Sequence, residues 1–224
     1  MPLYLLDDSL WFPDVENALE DGLLAIGGDL SPERLLLAYH SGIFPWYSDD
    51  DPIMWWSPDP RFVLFPEDLK VSKSMKQVIR KREFEFRMDT AFEEVVINCA
   101  NASRKGDPGT WISDDIITAY TQLFQLSIAH SAEAWQDGEL VGGLYGVWLG
   151  NVFFGESMFS KKSNASKFAF IHWGSFLKEK GVVMIDCQVF TDHLQSLGAD
   201  MISRTSFMEI LNASIPPLPQ LPSD

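Results

Sequence analysis

Two short segments place acidic and amide side chains at the ends of strand-like runs. The first, Gly-Glu-Ser-Met-Phe-Ser at 155–160, contains Glu156, and the second, Asp-Cys-Gln at 186–188, contains Asp186 and Gln188. A carboxylate can bind an ammonium group or take a proton from it, whereas a neutral amide orients a group by hydrogen bonding. Together they predict a polar reacting centre. The alternative interpretation of each acid is a strand-end salt bridge or cap.

Covalent catalysis is not indicated by the remaining nucleophiles and bases. The chain has no Gly-x-Ser-x-Gly motif, and its four histidines share no motif. Alternation along the strand predicted over 182–190 puts Cys187 on the apolar face, away from Asp186 and Gln188. Its only other cysteine is Cys99, and no Cys/His spacing is typical of a metal site. The residues therefore favour direct transfer between two bound substrates, with positioning as the larger contribution.

A β-hairpin is predicted to position Glu156. The runs 140–149 and 152–156 are joined by Gly150-Asn151, a two-residue turn that pairs Leu149 with Val152. Regular pairing then sets Tyr145 opposite Glu156 and turns the apolar neighbours of both to the other face.

The wider pattern alternates strands and helices and predicts an α+β fold. We expect a small N-terminal α/β domain over 1–62, then a mixed-sheet domain over 63–224 with an extended proline-rich tail. In the N-terminal unit, Ser31 and Pro32 are typical of a helix start. Further helices are predicted over 72–81, 91–101, 113–126, 164–180 and 207–212, and strands over 61–65, 84–88, 132–135, 140–149, 152–156 and 182–190.

Three tryptophans lie close together in a loop interrupted by prolines. Trp46, Trp55 and Trp56 are predicted to form no regular amphipathic element, because prolines interrupt the segment. Such rings either fill a domain interface or face a ligand, and Trp46 at the loop tip is the better candidate for a ligand.

The charge distribution is uneven. The formal net charge is −15, yet residues 70–87 hold seven basic and two acidic side chains. Lys73, Lys76 and Arg80 have the spacing of one helix face. This face is either solvated surface or a small phosphate-contacting patch with salt-sensitive affinity. The chain has no long apolar run and no secretory signal, so we expect a cytoplasmic protein.

A series of motifs in order resembles the bacterial leucyl/phenylalanyl-tRNA–protein transferases. They are Gly-Leu-Leu-Ala-Ile-Gly-Gly-Asp-Leu-Ser-Pro (22–32), Gly-Ile-Phe-Pro-Trp (42–46), Trp-Trp-Ser-Pro-Asp-Pro-Arg (55–61), Gly-Thr-Trp-Ile (109–112), Gly-Gly-Leu-Tyr-Gly (142–146), the 155–160 segment, Asn-Ala-Ser-Lys (164–167) and Asp-Cys-Gln. Each is weak alone, but together they are specific and cover most of residues 12–200.

The resemblance implies an enzyme that moves Leu or Phe, with Met as a third candidate, from aminoacyl-tRNA to the N-terminal Arg or Lys of acceptor proteins. The product is marked for degradation. The implied fold of the second domain is GNAT-like, that of the acetyltransferase superfamily, where the acyl donor enters between two splayed strands. The ester is already activated, so no cofactor or metal is implied. A monomer without membrane contact is expected.

The family's functional positions carry over residue by residue. Glu156, Asp186 and Gln188 match the catalytic positions, with both carboxylates expected to receive the cationic acceptor. Trp46 and Trp111 match the positions that hold the 3′-terminal adenosine, while Lys73, Lys76 and Arg80 lie in the segment expected to meet the tRNA. The pocket for the transferred side chain corresponds to Leu144, Phe153, Phe170, Trp173 and Ile185. This site must straddle a gap or bulge between strands, because its acids and its apolar residues alternate.

Two other functions are compatible with parts of this sequence. An acetyl-CoA-dependent N-acyltransferase would share the fold, but the chain lacks the Arg/Gln-x-x-Gly-x-Gly/Ala loop that binds pyrophosphate. A non-enzymatic module could instead bind basic protein termini through its acidic and aromatic residues. An assay that offers both acyl donors to an Arg-terminated peptide separates the three.

Overall fold

A four-stranded sheet forms the N-terminal part of the chain. The computed structural model describes residues 3–48, 51–102 and 112–217. The strand order is β1-β2-β4-β3, with β1 and β2 parallel and the other neighbours antiparallel. Its strands are β1 (Tyr4–Leu6), β2 (Leu23–Gly27), β3 (Phe44–Pro45) and β4 (Met54–Trp56).

A seven-stranded mixed sheet forms the rest, in the order β11-β5-β10-β9-β8-β7-β6. Among the described strands of this sheet, only β9 and β10 run parallel, and a helix connects them, as a parallel crossover requires. The strands are β5 (Arg61–Leu64), β6 (Glu85–Met88), β7 (Ala129–Gln136), β8 (Glu139–Leu149), β9 (Val152–Ser160), β10 (Met184–Gln188) and β11 (Asp200–Ile202).

Seven α-helices are present in the described residues, and two 3₁₀ turns cover Val15–Asn17 and Pro66–Asp68. Serine side chains begin several of the helices. Ser31 accepts a hydrogen bond from the backbone N–H of Arg34, and Ser72 accepts one from that of Met75. The helices are α1 (Pro32–His40), α2 (Lys73–Lys81), α3 (Phe92–Ala100), α4 (Asp114–Gln125), α5 (Ala165–Glu179), α6 (Asp192–Gln195) and α7 (Arg204–Ser214).

The larger sheet separates two hydrophobic cores. Alternation along β9 sends Phe153 into one core and Phe154 into the other. The first core contains Phe154 and joins the N-terminal sheet to α1, α3, α4 and α7. The second core contains Phe153 and joins the sheet to α2 and α5. Within the described residues, every helix is too short or too polar to cross a bilayer.

The tryptophan-rich segment is more regular than the sequence predicts. Trp55 and Trp56 lie in β4, whose residues alternate in burial, so the expectation that they form no regular amphipathic element is wrong. Trp55 is fully buried in the first core, and its indole N–H donates to the carbonyl of Gly27 at 2.9 Å. Its neighbours in β2 and β3 supply backbone hydrogen-bonding partners that a reading of local sequence does not reveal.

The predicted division of the chain falls near a change of sheet. The N-terminal sheet ends at Trp56, and the larger sheet begins at Arg61. The first core nevertheless runs through both parts without interruption. The division of the chain into domains at 1–62 and 63–224 therefore stays a prediction.

Candidate active site

A cavity of about 520 Å³ opens where β8, β9 and β10 meet the beginning of α5. Its size is that of an ordinary small-ligand pocket. Glu156 and Gln188 supply polar groups to its lining, and most of the remaining lining is apolar. Of the pocket residues named from the sequence, Leu144, Phe170 and Ile185 line it.

A gap between β9 and β10 creates this opening. Their parallel pairing ends with Asp186 opposite Phe154, although β9 continues to Ser160. Beyond that point the backbones of β9 and β10 no longer pair, and only the side chains of Glu156 and Gln188 meet across the gap. The expectation that the site straddles a gap or a bulge is confirmed.

A β-bulge positions Glu156. The turn pairs Leu149 with Val152 as predicted, but the register shifts between Tyr145 and Gly146. Tyr145 therefore lies opposite Ser157, and the predicted pairing with Glu156 is wrong, since Glu156 is the extra residue of the bulge. Gly146 permits the shift, because a Cβ there would lie 2.1 Å from the carbonyl oxygen of Phe154.

Three side chains donate hydrogen bonds to the carboxylate of Glu156. The hydroxyls of Tyr39 and Tyr120 each donate over 2.8 Å, and the side-chain amide of Gln188 donates over 3.0 Å. The two tyrosine hydroxyls also contact each other. Tyr39 comes from α1 and Tyr120 from α4, so three separate parts of the chain converge on Glu156.

The environment brings Glu156 close to a proton-transfer range. Burial raises the pKa of its carboxyl from 4.5 to about 7, opposed by the hydrogen bonds from Tyr39, Tyr120 and Gln188 and supported by the negative charge of Asp186. Burial and the neighbouring Glu156 also raise the pKa of both tyrosines well above the usual value. The hydroxyls thus stay neutral donors near pH 7, while Glu156 can gain or lose a proton there.

The environment of Asp186 differs from that of Glu156. Asp186 is fully buried and does not line the cavity. Arg61 donates to both of its carboxylate oxygens, at 2.9 and 2.7 Å. The backbone N–H of Gln188 donates to the same carboxylate at 3.0 Å. Arg61 therefore already occupies the carboxylate that the sequence analysis offers to a cationic acceptor, and the catalytic role of Asp186 stays a prediction.

Strict alternation also fails at the end of β10. The pairing with β5 shifts between Asp186 and Gln188, and Gln188 has a left-handed backbone with φ of 65°. Gln188 consequently reaches Glu156 and the cavity, while Asp186 faces Arg61. The two side chains do not project together as predicted.

Two of the predicted pocket residues do not line the cavity. Phe153 and Trp173 are buried, and their ring centroids lie 5.3 Å apart in an edge-to-face contact. Neither lines the cavity, but both belong to the second core together with Leu144, Phe170 and Ile185, which do. Met158, which faces Leu144 across the hairpin, lines the cavity and was not predicted.

Of the two predicted adenosine-binding tryptophans, the structure describes Trp46, which does not line the cavity. Trp46 is 39% exposed, and its ring lies 5.7 Å from that of Trp56. Trp111 lies outside the described residues. Contact of either ring with adenosine stays a prediction.

The basic patch lies on α2. Lys73, Lys76 and Arg80 are all exposed, and Met75 and Val78 bury the opposite side of the helix in the second core. The helix and its polar face are as predicted, whereas tRNA contact stays a prediction.

Sequence reasoning missed Tyr39, Tyr120 and Arg61. The motifs and spacings of the sequence give Tyr39 and Tyr120 no role, and they place Arg61 only at the end of a motif and the start of a strand. All three are distant from Glu156 and Asp186 along the chain, so no local spacing connects them. In the parts of the chain that the structure describes, no three His, Cys, Asp or Glu side chains are grouped to hold a metal ion.

Two family models match the chain. The model described as leucyl/phenylalanyl-tRNA protein transferase matches residues 63–212, and that of the N-terminal domain of the same family matches residues 28–59. The chain belongs to the leucyl/phenylalanyl-tRNA protein transferase family.

Curated members of this transferase family match almost end to end. A leucyl/phenylalanyl-tRNA–protein transferase from Syntrophobacter fumaroxidans is 55% identical over 96% of this chain and 92% of its own length. The one from Nitrosospira multiformis is 57% identical over 93% and 90%. The one from Flavobacterium johnsoniae is 54% identical over 94% and 100%.

Solved structures offer more distant likenesses to this transferase. A GCN5-related N-acetyltransferase from Kribbella flavida is 10% identical, covering 77% of this chain and 61% of its own, with a TM-score of 0.40. L-PGS from Bacillus licheniformis is 13% identical, covering 77% and 57%, with a TM-score of 0.39. Such likenesses say nothing about activity. The transferase has the predicted α+β fold, and its larger sheet is mixed.

Proposed function

We propose that this chain transfers Leu or Phe from aminoacyl-tRNA to the amino terminus of acceptor proteins whose first residue is Arg or Lys. One observation supports this most strongly. A transferase of this family has an apolar cavity bordered by Glu156, whose pKa is about 7, and by Gln188. Such a cavity suits an apolar aminoacyl group beside an amine that must lose a proton.

The apolar wall is the proposed seat of the transferred side chain. Leu144, Phe170 and Ile185 would contact it directly, backed by the packed rings of Phe153 and Trp173. Burial of a Leu or Phe side chain contributes roughly 1.5–3 kcal/mol. Met remains a third candidate donor.

The tRNA is proposed to lie outside the cavity. Trp46 and Trp111 would stack on the 3′-terminal adenosine, since aromatic rings hold single-stranded bases in this way. Lys73, Lys76 and Arg80 would contact phosphates through exposed positive charge.

The proposed reaction is aminolysis of the aminoacyl ester. The α-amine of the acceptor attacks the ester carbonyl carbon, a C–N bond forms, and the C–O bond to the terminal ribose breaks. The amine loses a proton and the ribose oxygen gains one. The ester is already activated, so the reaction itself needs no further energy source.

Glu156, Gln188 and Asp186 are proposed to serve this reaction in different ways. Glu156 borders the cavity and would accept the proton from the amine. The Gln188 amide, hydrogen-bonded to Glu156, would orient the amine or the ester carbonyl. Asp186 would act indirectly, through Gln188, because its carboxylate accepts a hydrogen bond from the backbone N–H of Gln188. Alignment of reactants can contribute about 7–11 kcal/mol to lowering the barrier.

The test is a transfer assay followed by mass measurement. Phe-tRNA or Leu-tRNA is incubated with the chain and an Arg-terminated peptide, and we expect a product heavier by one aminoacyl residue. A Gly-terminated peptide controls for the acceptor, uncharged tRNA for the donor, and acetyl-CoA for the competing acyltransferase. An acetylated product, or none from charged tRNA, would contradict the proposal.

The cellular setting is part of the same proposal. Charged tRNA and protein termini meet in the cytoplasm, so we place the chain there as a monomer that marks its products for degradation. The strongly acidic surface, with a net charge of −15, would attract Arg- or Lys-bearing termini.

A further inference from the structure

Arg61 is held from several directions. Its side chain is 1% exposed at the start of β5. One terminal nitrogen donates to the carbonyl of Gly42 at 3.1 Å. The guanidinium lies between the rings of Phe44 and Phe207, 4.7 and 4.5 Å from their centroids. These contacts leave the guanidinium little freedom.

The guanidinium of Arg61 forms a bidentate interaction with the carboxylate of Asp186. Its Nε and second terminal nitrogen donate to separate carboxylate oxygens, at 2.9 and 2.7 Å. Paired bonds of this kind set the orientation of the carboxylate as well as neutralising it. Asp186 thus has a partner for its charge before any acceptor binds.

Asp186, oriented by Arg61, in turn positions Gln188 through a hydrogen bond. Oδ1 of Asp186, which accepts from Arg61, also accepts the backbone N–H of Gln188 at 3.0 Å. That bond anchors Gln188 at the point where its backbone turns left-handed, with φ of 65°. The side-chain amide of Gln188 then reaches Oε1 of Glu156 at 3.0 Å.

We propose that Arg61 is a positioning residue for aminoacyl transfer, acting through Asp186 to place Gln188 beside Glu156. The inference rests on the proposed function. It assigns the negative charge of Asp186 to Arg61 rather than to the cationic acceptor, and it links Gly42 and Phe44, in the segment that follows α1, to the reacting centre.

Arg61→Lys tests the importance of the paired hydrogen bonds from Arg61 to Asp186. Lysine keeps the charge but cannot donate to both oxygens in the same geometry. We expect kcat to fall about 100-fold, as small misplacements of a catalytic group do, with the KM for the acceptor peptide within about twofold. Arg204→Lys is the matched control, because Arg204 is a buried arginine that contacts Ser57 and Glu16. It should retain kcat. Thermal melting of both variants separates unfolding from misplacement.

Asp186→Asn is a second, independent test of the inference, which remains available if the Arg61→Lys variant does not fold. It retains an oxygen for the N–H of Gln188 but loses the charge. We expect a lower kcat and an unchanged acceptor KM. An acceptor KM raised tenfold or more with kcat retained would overturn the inference, because Asp186 would then bind the acceptor.

The double variant, Arg61→Lys with Asp186→Asn, shows whether Arg61 affects transfer only through Asp186. If Arg61 acts only through Asp186, the double variant loses no more kcat than the worse single variant, within about twofold. Losses that multiply would overturn the inference. Absence of transfer by the unmodified chain would instead contradict the proposed function, so the two failures are distinguishable.

Discussion

The hydroxyl of Tyr39 donates a hydrogen bond to the carboxylate of Glu156 over 2.8 Å, across 117 positions of sequence. Tyr39 belongs to α1 beside the small N-terminal sheet, and Glu156 belongs to the large one. The N-terminal part of the chain therefore contributes directly to the electrostatics of the candidate site.

Tyr39→Phe should move the pH profile of transfer. The hydrogen bond from Tyr39 lowers the pKa of Glu156, which burial has raised to about 7. Without it the pKa rises further, and the limb on which Glu156 loses its proton shifts to higher pH. The measurement is kcat/KM as a function of pH over roughly two units on either side of the Glu156 pKa of about 7.

Tyr4→Phe is the control for that experiment, because Tyr4 lies in β1 and its ring packs on Trp11. Its profile should match that of the unmodified chain. A Tyr39→Phe limb that stays in place, or moves to lower pH, would contradict the assignment of the limb to Glu156.

Glu156→Gln should change how stability depends on pH. The folded pKa of Glu156, about 7, exceeds its ordinary value of 4.5, so its stabilising contribution is fully present below 4.5 and is lost as pH rises through 7. The difference in unfolding free energy between the variant and the unmodified chain should shift in favour of the variant by up to about 3 kcal/mol from pH 4.5 to 8.

Urea unfolding of both proteins at each pH provides that comparison, and other carboxylates cancel in the difference. A difference that is flat with pH would mean that the folded pKa of Glu156 is ordinary.

Phe170→Leu should alter the preference between donors. Phe170 lines the cavity, and leucine would leave more room for the larger donor side chain. We expect the ratio of kcat/KM for Phe-tRNA to that for Leu-tRNA to rise about tenfold. Phe168→Leu is the matched control, since Phe168 is buried on the same helix and packs on Phe84 rather than lining the cavity. Equal shifts in both variants would argue against direct contact.

Gly146→Ala should destabilise the bulge that positions Glu156. The added Cβ would lie 2.1 Å from the carbonyl oxygen of Phe154 and 2.6 Å from the ring of Phe153. We expect a loss of about 1–3 kcal/mol in the free energy of unfolding. Gly155 lies directly opposite, and a Cβ there has 3.6 Å to its nearest neighbour. Gly155→Ala should therefore cost less, and the reverse order would refute the close packing.

Neutralising Lys73, Lys76 and Arg80 to Gln should reduce the salt dependence of tRNA binding. Each phosphate contact contributes about 0.7–0.9 to the slope of log affinity against log salt, so the slope should fall by about 2. Filter binding over a series of salt concentrations provides the slopes. Lys178 and Lys180, exposed at the end of α5, provide a control pair whose neutralisation should leave the slope unchanged.

Local sequence was sufficient to predict many of the helices and several strands of the larger sheet. Ser31, Ser72 and Ser113 mark helix starts that the structure confirms, because a capping side chain bonds to backbone only two or three residues away. The turn pairing Leu149 with Val152 was predictable for the same reason. The short strands around Trp55 were missed, since their partners lie elsewhere in the chain.

The sequence by itself determined the α+β class, the family motifs and the candidate residues Glu156, Asp186 and Gln188. Only the tertiary structure decided what each of them touches. A one-residue bulge reverses the alternation at Glu156, and a left-handed backbone separates Gln188 from Asp186. The contacts of Arg61 and Tyr39 join positions more than a hundred residues apart. Such contacts depend on how sheets and helices pack, which no short-range periodicity records.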